Sequence, residues 1–223
     1  MEKIKRNRAK TTQRIIEAFE LVLAERGLQH VGVNRVAEEA GVSKVLIYRY
    51  FGGLDGLIDH YIKMGKLYPD FTPAVLQQLR PNNEAELGRV WHRQVTQLFR
   101  QFRSNKAARE LLKANVIDED PTAEAASRAQ DREIQRLVRQ LSFVEGADSE
   151  AISAVTIGAM SYLTLLADNN RTLVGIDLRS EAGWKRIELA VKLIYTTLSK
   201  TVATSDTIHF ESLHGMMSEG QWK

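Results

Sequence analysis

The chain has no cysteine. That excludes a disulfide framework, thiolate metal sites and a cysteine nucleophile, and it fits folding in a reducing compartment, with the cytoplasm as the default expectation. Proline is nearly as scarce, at positions 69, 73, 81 and 121 only, so long stretches carry no helix breaker. Charge of one sign is also lacking: 31 Lys and Arg face 28 Asp and Glu, and no overall field steers the chain to a polyanion. The only long uncharged run, 151–167, is interrupted by Ser153, Thr156, Ser161 and Thr164. It is shorter than the roughly 20 residues that span a bilayer and reads as a buried helix rather than an anchor. The charged start, MEKIKRNRAKTTQR, has no apolar core of a signal peptide, so export is not expected.

Catalytic patterns are missing as well. The histidines at 30, 60, 92, 209 and 214 show no His-x3-His spacing, and there is no nucleophile elbow or phosphate-binding glycine loop. No enzyme activity, metal or cofactor is expected. A helical partner-binding or structural protein without ligand response is the competing reading, and specific binding to one palindromic DNA fragment separates it from a regulator.

What is present is unevenly placed. Residues 1–66 hold 12 basic against 8 acidic side chains, and residues 67–223 hold 19 against 20. Lys3, Lys5, Arg6, Arg8, Lys10 and Arg14 crowd the first 14 residues and read as a basic N-terminal arm able to reach a DNA backbone or minor groove. Apolar residues recur at helical spacing nearly throughout, without sustained strand alternation, so the chain reads as all-α. A first helix presents Ile15, Ala18, Phe19, Val22 and Leu23 and ends near Gly27. A short second helix carries Val33, Val36, Ala37 and Ala40, and a fourth spans about 54–66. Pro69 and Pro73 mark a boundary, followed by helices expected at 84–104, 105–117, 122–144, 149–172 and 181–203. The expected organisation is a DNA-binding domain over 1–66, a ligand-binding and dimerisation domain over 67–203, and a mobile tail over 204–223, in which Phe210, Met216, Met217 and Trp222 are available to dock.

Two helices cross closely only if the crossing residue is small, the turn accepts a left-handed backbone and an apolar residue fills the angle between them. Ala37, Gly41 and Ile47 meet those demands in order, which is the spacing of a helix-turn-helix; an ordinary helical hairpin satisfies the same spacing. Ser43 is placed to cap the next helix. On that helix Lys44 and Arg49 suit guanine or phosphate, Val45 suits a thymine methyl, and the tyrosine hydroxyls suit phosphate oxygens. The rings of Tyr50 and Phe51 suit core contacts equally well.

The run AEEAGVSKVLIYRYFGGLDGLIDHYI, preceded by IIEAFELVLAERGL, resembles the DNA-binding domain of the TetR/AcrR family of transcriptional regulators over about residues 8–66. The resemblance implies three N-terminal helices joined by a fourth to a larger helical domain that binds a small molecule and dimerises. It implies DNA contacts from Asn34, Arg35, Ser43, Lys44, Val45, Tyr48, Arg49, Tyr50, Gly53 and Leu54. Three positions depart from the family's habit. Leu46 replaces a threonine, Gly32 stands where a threonine commonly caps the second helix, and Gly53-Leu54-Asp55-Gly56-Leu57 lacks the lysine often assigned to phosphate.

In the second domain, 151–167 is apolar on more than one face and must be covered nearly all round. Ile152, Val155, Ala159, Tyr162 and Leu166 are expected to pack inward, with Ala154, Gly158, Ser161 and Leu165 forming a second stripe. With Ile187, Val191, Ile194 and Leu198 of the last helix, that stripe is the expected homodimer interface, although burial within one subunit also satisfies the pattern. The resemblance implies a four-helix bundle across a two-fold axis and a palindromic double-stranded operator. It further implies a ligand cavity, with candidate linings Tyr61, Met64, Tyr68, Trp91, His92, Phe99, Phe102, Leu111, Met160, Tyr162 and Trp184. The scarcity of inward charge favours a largely apolar or aromatic effector.

Overall fold

The computed structural model describes residues 2–64, 67–68, 77, 84–140 and 147–204. The expected boundary at Pro69 and Pro73 and the tail beyond 204 lie outside them. The chain folds as an N-terminal helix-turn-helix domain joined by its fourth helix to a larger helical domain. Four helices come first: α1 (Glu2–Arg26), α2 (Val33–Glu39), α3 (Lys44–Phe51) and α4 (Leu54–Lys63), with a short 3-10 helix, Leu28–His30, after α1. Then follow α5 (Glu84–Ser104), α6 (Lys106–Ile117), α7 (Pro121–Gln140), α8 (Ser149–Asp168) and α9 (Glu181–Thr204).

Local chemistry sets most of these ends. Asn105 and Asp148 accept hydrogen bonds from the backbone N–H groups of Ala108 and Ala151, capping α6 and α8. Pro121 opens α7, where its missing N–H costs nothing. One expectation needs correction: α8 stops at Asp168, and 169–180 contains a two-stranded antiparallel hairpin, Thr172–Leu173 paired with Ile176–Asp177. Asn170 and Val174 adopt positive φ there, which no helix tolerates.

The basic arm is not an extended arm: residues 2–14 continue α1 as one helix. Its apolar face buries Ile15, Ile16, Phe19, Val22 and Leu23 against Val36, Ile47, Leu57, Ile58 and Tyr61, all at most 4% exposed. The same rod reaches the second domain, where its C-terminal half packs on α6. The second bridge is α4 on α7. Asp59 there binds Lys63 at 2.7 Å and Arg132 of α7 at 3.1 Å. Burial alone would raise the Asp59 pKa, but these two cations outweigh it and hold the carboxyl below its ordinary value.

In the second domain α5 and α9 are in intimate contact. A Cβ at Gly88 would lie 2.8 Å from both Ser199 Oγ and the Tyr195 carbonyl oxygen, so only glycine permits this approach. Trp91 stacks on Tyr195 with centroids 6.1 Å apart. Arg109 and Lys113 of α6 both bind Asp168, at 2.8 and 2.7 Å, pinning the end of α8.

The two faces of α8 are placed differently from the sequence expectation. Ser153, Met160, Leu163 and Thr164 point inward, whereas Val155, Ala159 and Tyr162 face out beside Ala154 and Gly158. Ser161 and Leu165 are half-buried. On α9, Val191 is 7% exposed and belongs to the core of this chain, with Ile187 and Leu198 half-buried beside it. The outward apolar positions are Leu189, Leu193 and Ile194.

Candidate nucleic-acid interface

The turn between α2 and α3 is built for a tight crossing. Gly41 takes φ 59°, Ala37 and Ile47 are buried at the angle, and Ser43 Oγ accepts from the Val45 N–H at 3.3 Å. A long-range contact completes it: Arg14 of α1 donates through Nη2 to the carbonyls of Ala40, at 2.5 Å, and Gly41, at 3.3 Å. Its guanidinium thus satisfies carbonyls at the C-terminal end of α2, where a cation also suits the helix dipole. Arg14→Ala should cost about 1 kcal/mol of stability and weaken DNA binding, and Arg14→Lys should recover part of both; chemical denaturation and anisotropy on the same samples check this.

Arg8, one of the arm cations, lies over the Tyr50 ring at 5.1 Å. Tyr50 is half-buried under it and against the core, so its ring serves packing. The helical extension is therefore clasped to the turn of the helix-turn-helix and to the C-terminal end of α3.

The outer surface of α3 presents Lys44, Val45, Tyr48 and Arg49, with Val45 64% and Tyr48 57% exposed. Exposed apolar and aromatic side chains on a helix anchored from its other side by buried Ile47 want a partner. Lys44 and Tyr48 share a groove with Asn34 and Arg35 of α2 and with Gln29 and His30 of the 3-10 helix. Gln29 and His30 were not among the residues that the sequence assigned to DNA. Ser43 is exposed but its hydroxyl is engaged in the cap.

After α3 the backbone turns through two consecutive glycines. Gly52 adopts a left-handed conformation at φ 80°, and Gly53 sits at φ 121°, ψ −161°, a region open to glycine almost alone. Gly53 is buried beside the Tyr48 ring, and Leu54 packs against the core. Their side-chain positions are thus enclosed, and α4 begins without a side-chain cap.

The candidate effector residues disperse. Tyr68 and Trp91 line an apolar cavity of about 60 Å³ with Gln94, Val95, Leu98, Ile134, Leu137, Val138, Ser153, Ile157 and Tyr195. Phe99, Phe102, Leu111 and Met160 are buried in the core but do not line it, and Met64 is half-buried. Tyr61 packs on Phe19 at 5.0 Å in the N-terminal domain, where burial pushes its hydroxyl pKa up. His92 opens on the other side of α5, and burial, joined by Lys192 and Arg100, holds its pKa down. Tyr162 faces out, and Trp184 lies under the Arg103 guanidinium at 4.0 Å while its indole donates to the Leu178 carbonyl. Gln94, Ser153 and Tyr195 escaped the sequence reading because nothing local distinguishes a cavity wall from plain core.

Comparison with known proteins places the N-terminal domain. Residues 15–61 match the sequence model of the family described as bacterial regulatory proteins, tetR family. The HTH-type transcriptional regulator BetI 2 of Chromohalobacter salexigens is 40% identical over 63 residues, which are 28% of this chain and 30% of that protein. Across the whole fold the chain is similar to NalD of Pseudomonas aeruginosa, the secondary repressor of the MexAB-OprM multidrug efflux pump. The TM-score is 0.59 at 15% identity, covering 85% of this chain and 97% of NalD. It is also similar to FadR of Bacillus subtilis, a transcriptional regulator solved with stearoyl-CoA, at a TM-score of 0.51 and 14% identity, covering 82% and 97%.

Proposed function

For this member of the tetR family of bacterial regulatory proteins, we propose a dimeric repressor that occupies a palindromic operator and leaves it when a small molecule enters the second domain. The observation that carries DNA reading is the capped α3, whose buried Ile47 holds Lys44, Val45, Tyr48 and Arg49 outward beside Asn34 and Arg35. Such a helix places bidentate donors and an apolar contact at base edges. The dimer is supported by the outward apolar residues of α8 and α9, which pair two recognition helices on two half-sites. The site of action is the cytoplasm.

The effector is a largely apolar or aromatic small molecule, and the lining of the cavity supports this. NalD is a repressor, and B. subtilis FadR accommodates stearoyl-CoA. At about 60 Å³ the cavity is far below the roughly 300 Å³ of a typical ligand pocket, so binding must separate its walls. Leu137 and Val138 of α7 belong to those walls, and Arg132 of the same helix grips Asp59 of α4. A ligand that binds better when α7 has moved therefore shifts α4 and the recognition helix it carries.

The test is selection of bound fragments from random duplex DNA, followed by anisotropy over a salt series. One palindromic sequence should bind at least about a thousandfold tighter than random duplex. Arg49→Ala should relax preference at one base pair in each half-site, by about 1–3 kcal/mol. Equal affinity for all sequences sinks the reading.

A further inference from the structure

A second groove, of about 800 Å³, runs between α5 and α9 on the side of α5 away from the apolar cavity. Its charge is out of keeping with its surroundings. Arg89, Arg93, Arg100 and Lys192 line it against only Glu86 and Glu188, although residues 67–223 carry one more acid than base. Glu188 is already held by Arg100 through two bonds, at 2.8 and 2.5 Å. Arg89, Arg93 and Lys192 have no ion pair among the described residues. Arg89 and Arg93 are one helical turn apart and so project from the same face, and Lys192 approaches from the opposite helix.

The groove also holds a polar group that lacks a partner. Thr96 is 7% exposed, and its hydroxyl makes no hydrogen bond. Thr156, Thr164 and Thr196 instead donate to the carbonyl four residues earlier, at 2.8–2.9 Å. A buried hydroxyl that forgoes its local acceptor is costly unless something else engages it.

We propose that this groove binds a multivalent oxyanion, the phosphate or diphosphate group of a small metabolite. Planar guanidinium forks match phosphoryl oxygens in pairs, Lys192 adds a point charge, and the Thr96 hydroxyl, which is sealed from the groove in the free chain, donates to a remaining oxygen after rotating about χ1. The site is separate from the effector cavity. Trp91, Gln94, Val95 and Leu98 face that cavity from the other side of α5, and the Gly88 contact and the Trp91–Tyr195 stack close the seam between them. An oxyanion here cross-links α5 to α9, so it favours the closed arrangement of the helices that flank the cavity.

Calorimetric titration of the full chain with sodium diphosphate, at ionic strength held constant with sodium chloride, tests this. Saturable binding at one site per chain is expected, with orthophosphate weaker. Arg89→Gln with Arg93→Gln should weaken it at least about tenfold, as expected for loss of charge-assisted hydrogen bonds. Thr96→Val should weaken it several-fold without lowering the unfolding temperature of the free protein, and Lys44→Gln in the helix-turn-helix should leave it unchanged. Absence of saturable heat overturns the proposal. So does binding that Lys44→Gln abolishes and the arginine pair tolerates, since the anion would then sit on the DNA-reading face. Because the groove lies apart from that face, loss or retention of operator binding in these variants reports on the regulator reading independently.

Discussion

A Gly56→Ala variant should lose specific DNA binding while its second domain stays folded. A Cβ on residue 56 would lie 1.7 Å from the Phe51 carbonyl oxygen and 2.9 Å from its carbon, distances no side chain can relieve because both atoms are backbone. The turn at Gly52-Gly53 is so short that the first turn of α4 passes directly over the last carbonyl of α3. Relief requires moving α4, yet Leu57, Ile58, Tyr61 and Ile62 of that helix are at most 1% exposed. Repacking that core costs about 3 kcal/mol, a large share of the stability of a small domain. Gly32→Ser is the matched control. Nothing lies within 4 Å of its Cβ, its φ of −152° is extended, and the hydroxyl supplies a cap that α2 lacks, worth a few tenths of a kcal/mol. Thermal unfolding and operator anisotropy on both variants decide the matter, and unchanged affinity in Gly56→Ala would refute the proposed link between α4 position and reading.

Placing a charge at the outward face of α9, as in Leu193→Glu, should convert a dimer to a monomer and lower operator affinity by at least about a hundredfold through lost linkage of the two half-sites. Val155, Tyr162, Leu189, Leu193 and Ile194 are between 55% and 74% exposed in the single chain, and monomers rarely leave such a patch uncovered. Helix α8 makes the same point: it is long and apolar enough to cross a membrane, yet only 17% of its apolar window is buried within the chain. A carboxylate buried among such apolar side chains loses its hydration, at a cost of several kcal/mol. Sedimentation equilibrium at micromolar concentration measures the change. A wild-type chain that sediments as a monomer would remove this reading.

The helix-turn-helix was legible because its constraints are local. Ala37, Gly41, Ser43 and Ile47 lie within 11 residues, and each does there what its chemistry permits. The helix end at Gly27 was legible for the same reason, and the helix starts expected at 105, 122 and 149 lie within one residue of those observed. The inward side of α8 was not. A helix apolar all round offers no contrast from which to tell its two faces apart, so Val155, Ala159 and Tyr162 were assigned inward when packing turned Ser153 and Thr164 there instead. The cavity was only partly legible: Tyr68 and Trp91 stand out as aromatics, but Gln94, Ser153 and Tyr195 come together only where α5, α8 and α9 meet.

Arg8 and Arg14 mark the division most clearly. By itself the sequence determined that a basic segment adjoins a recognition helix and that the chain is helical throughout its core, because composition and 3.6-residue periodicity act within a few turns. Only the tertiary structure decided that Arg14 closes the end of α2, 26 residues away, and that Arg8 stacks on Tyr50. Such pairings depend on how rigid helices dock. Docking is set by burial summed over many distant residues, which no local window of sequence contains.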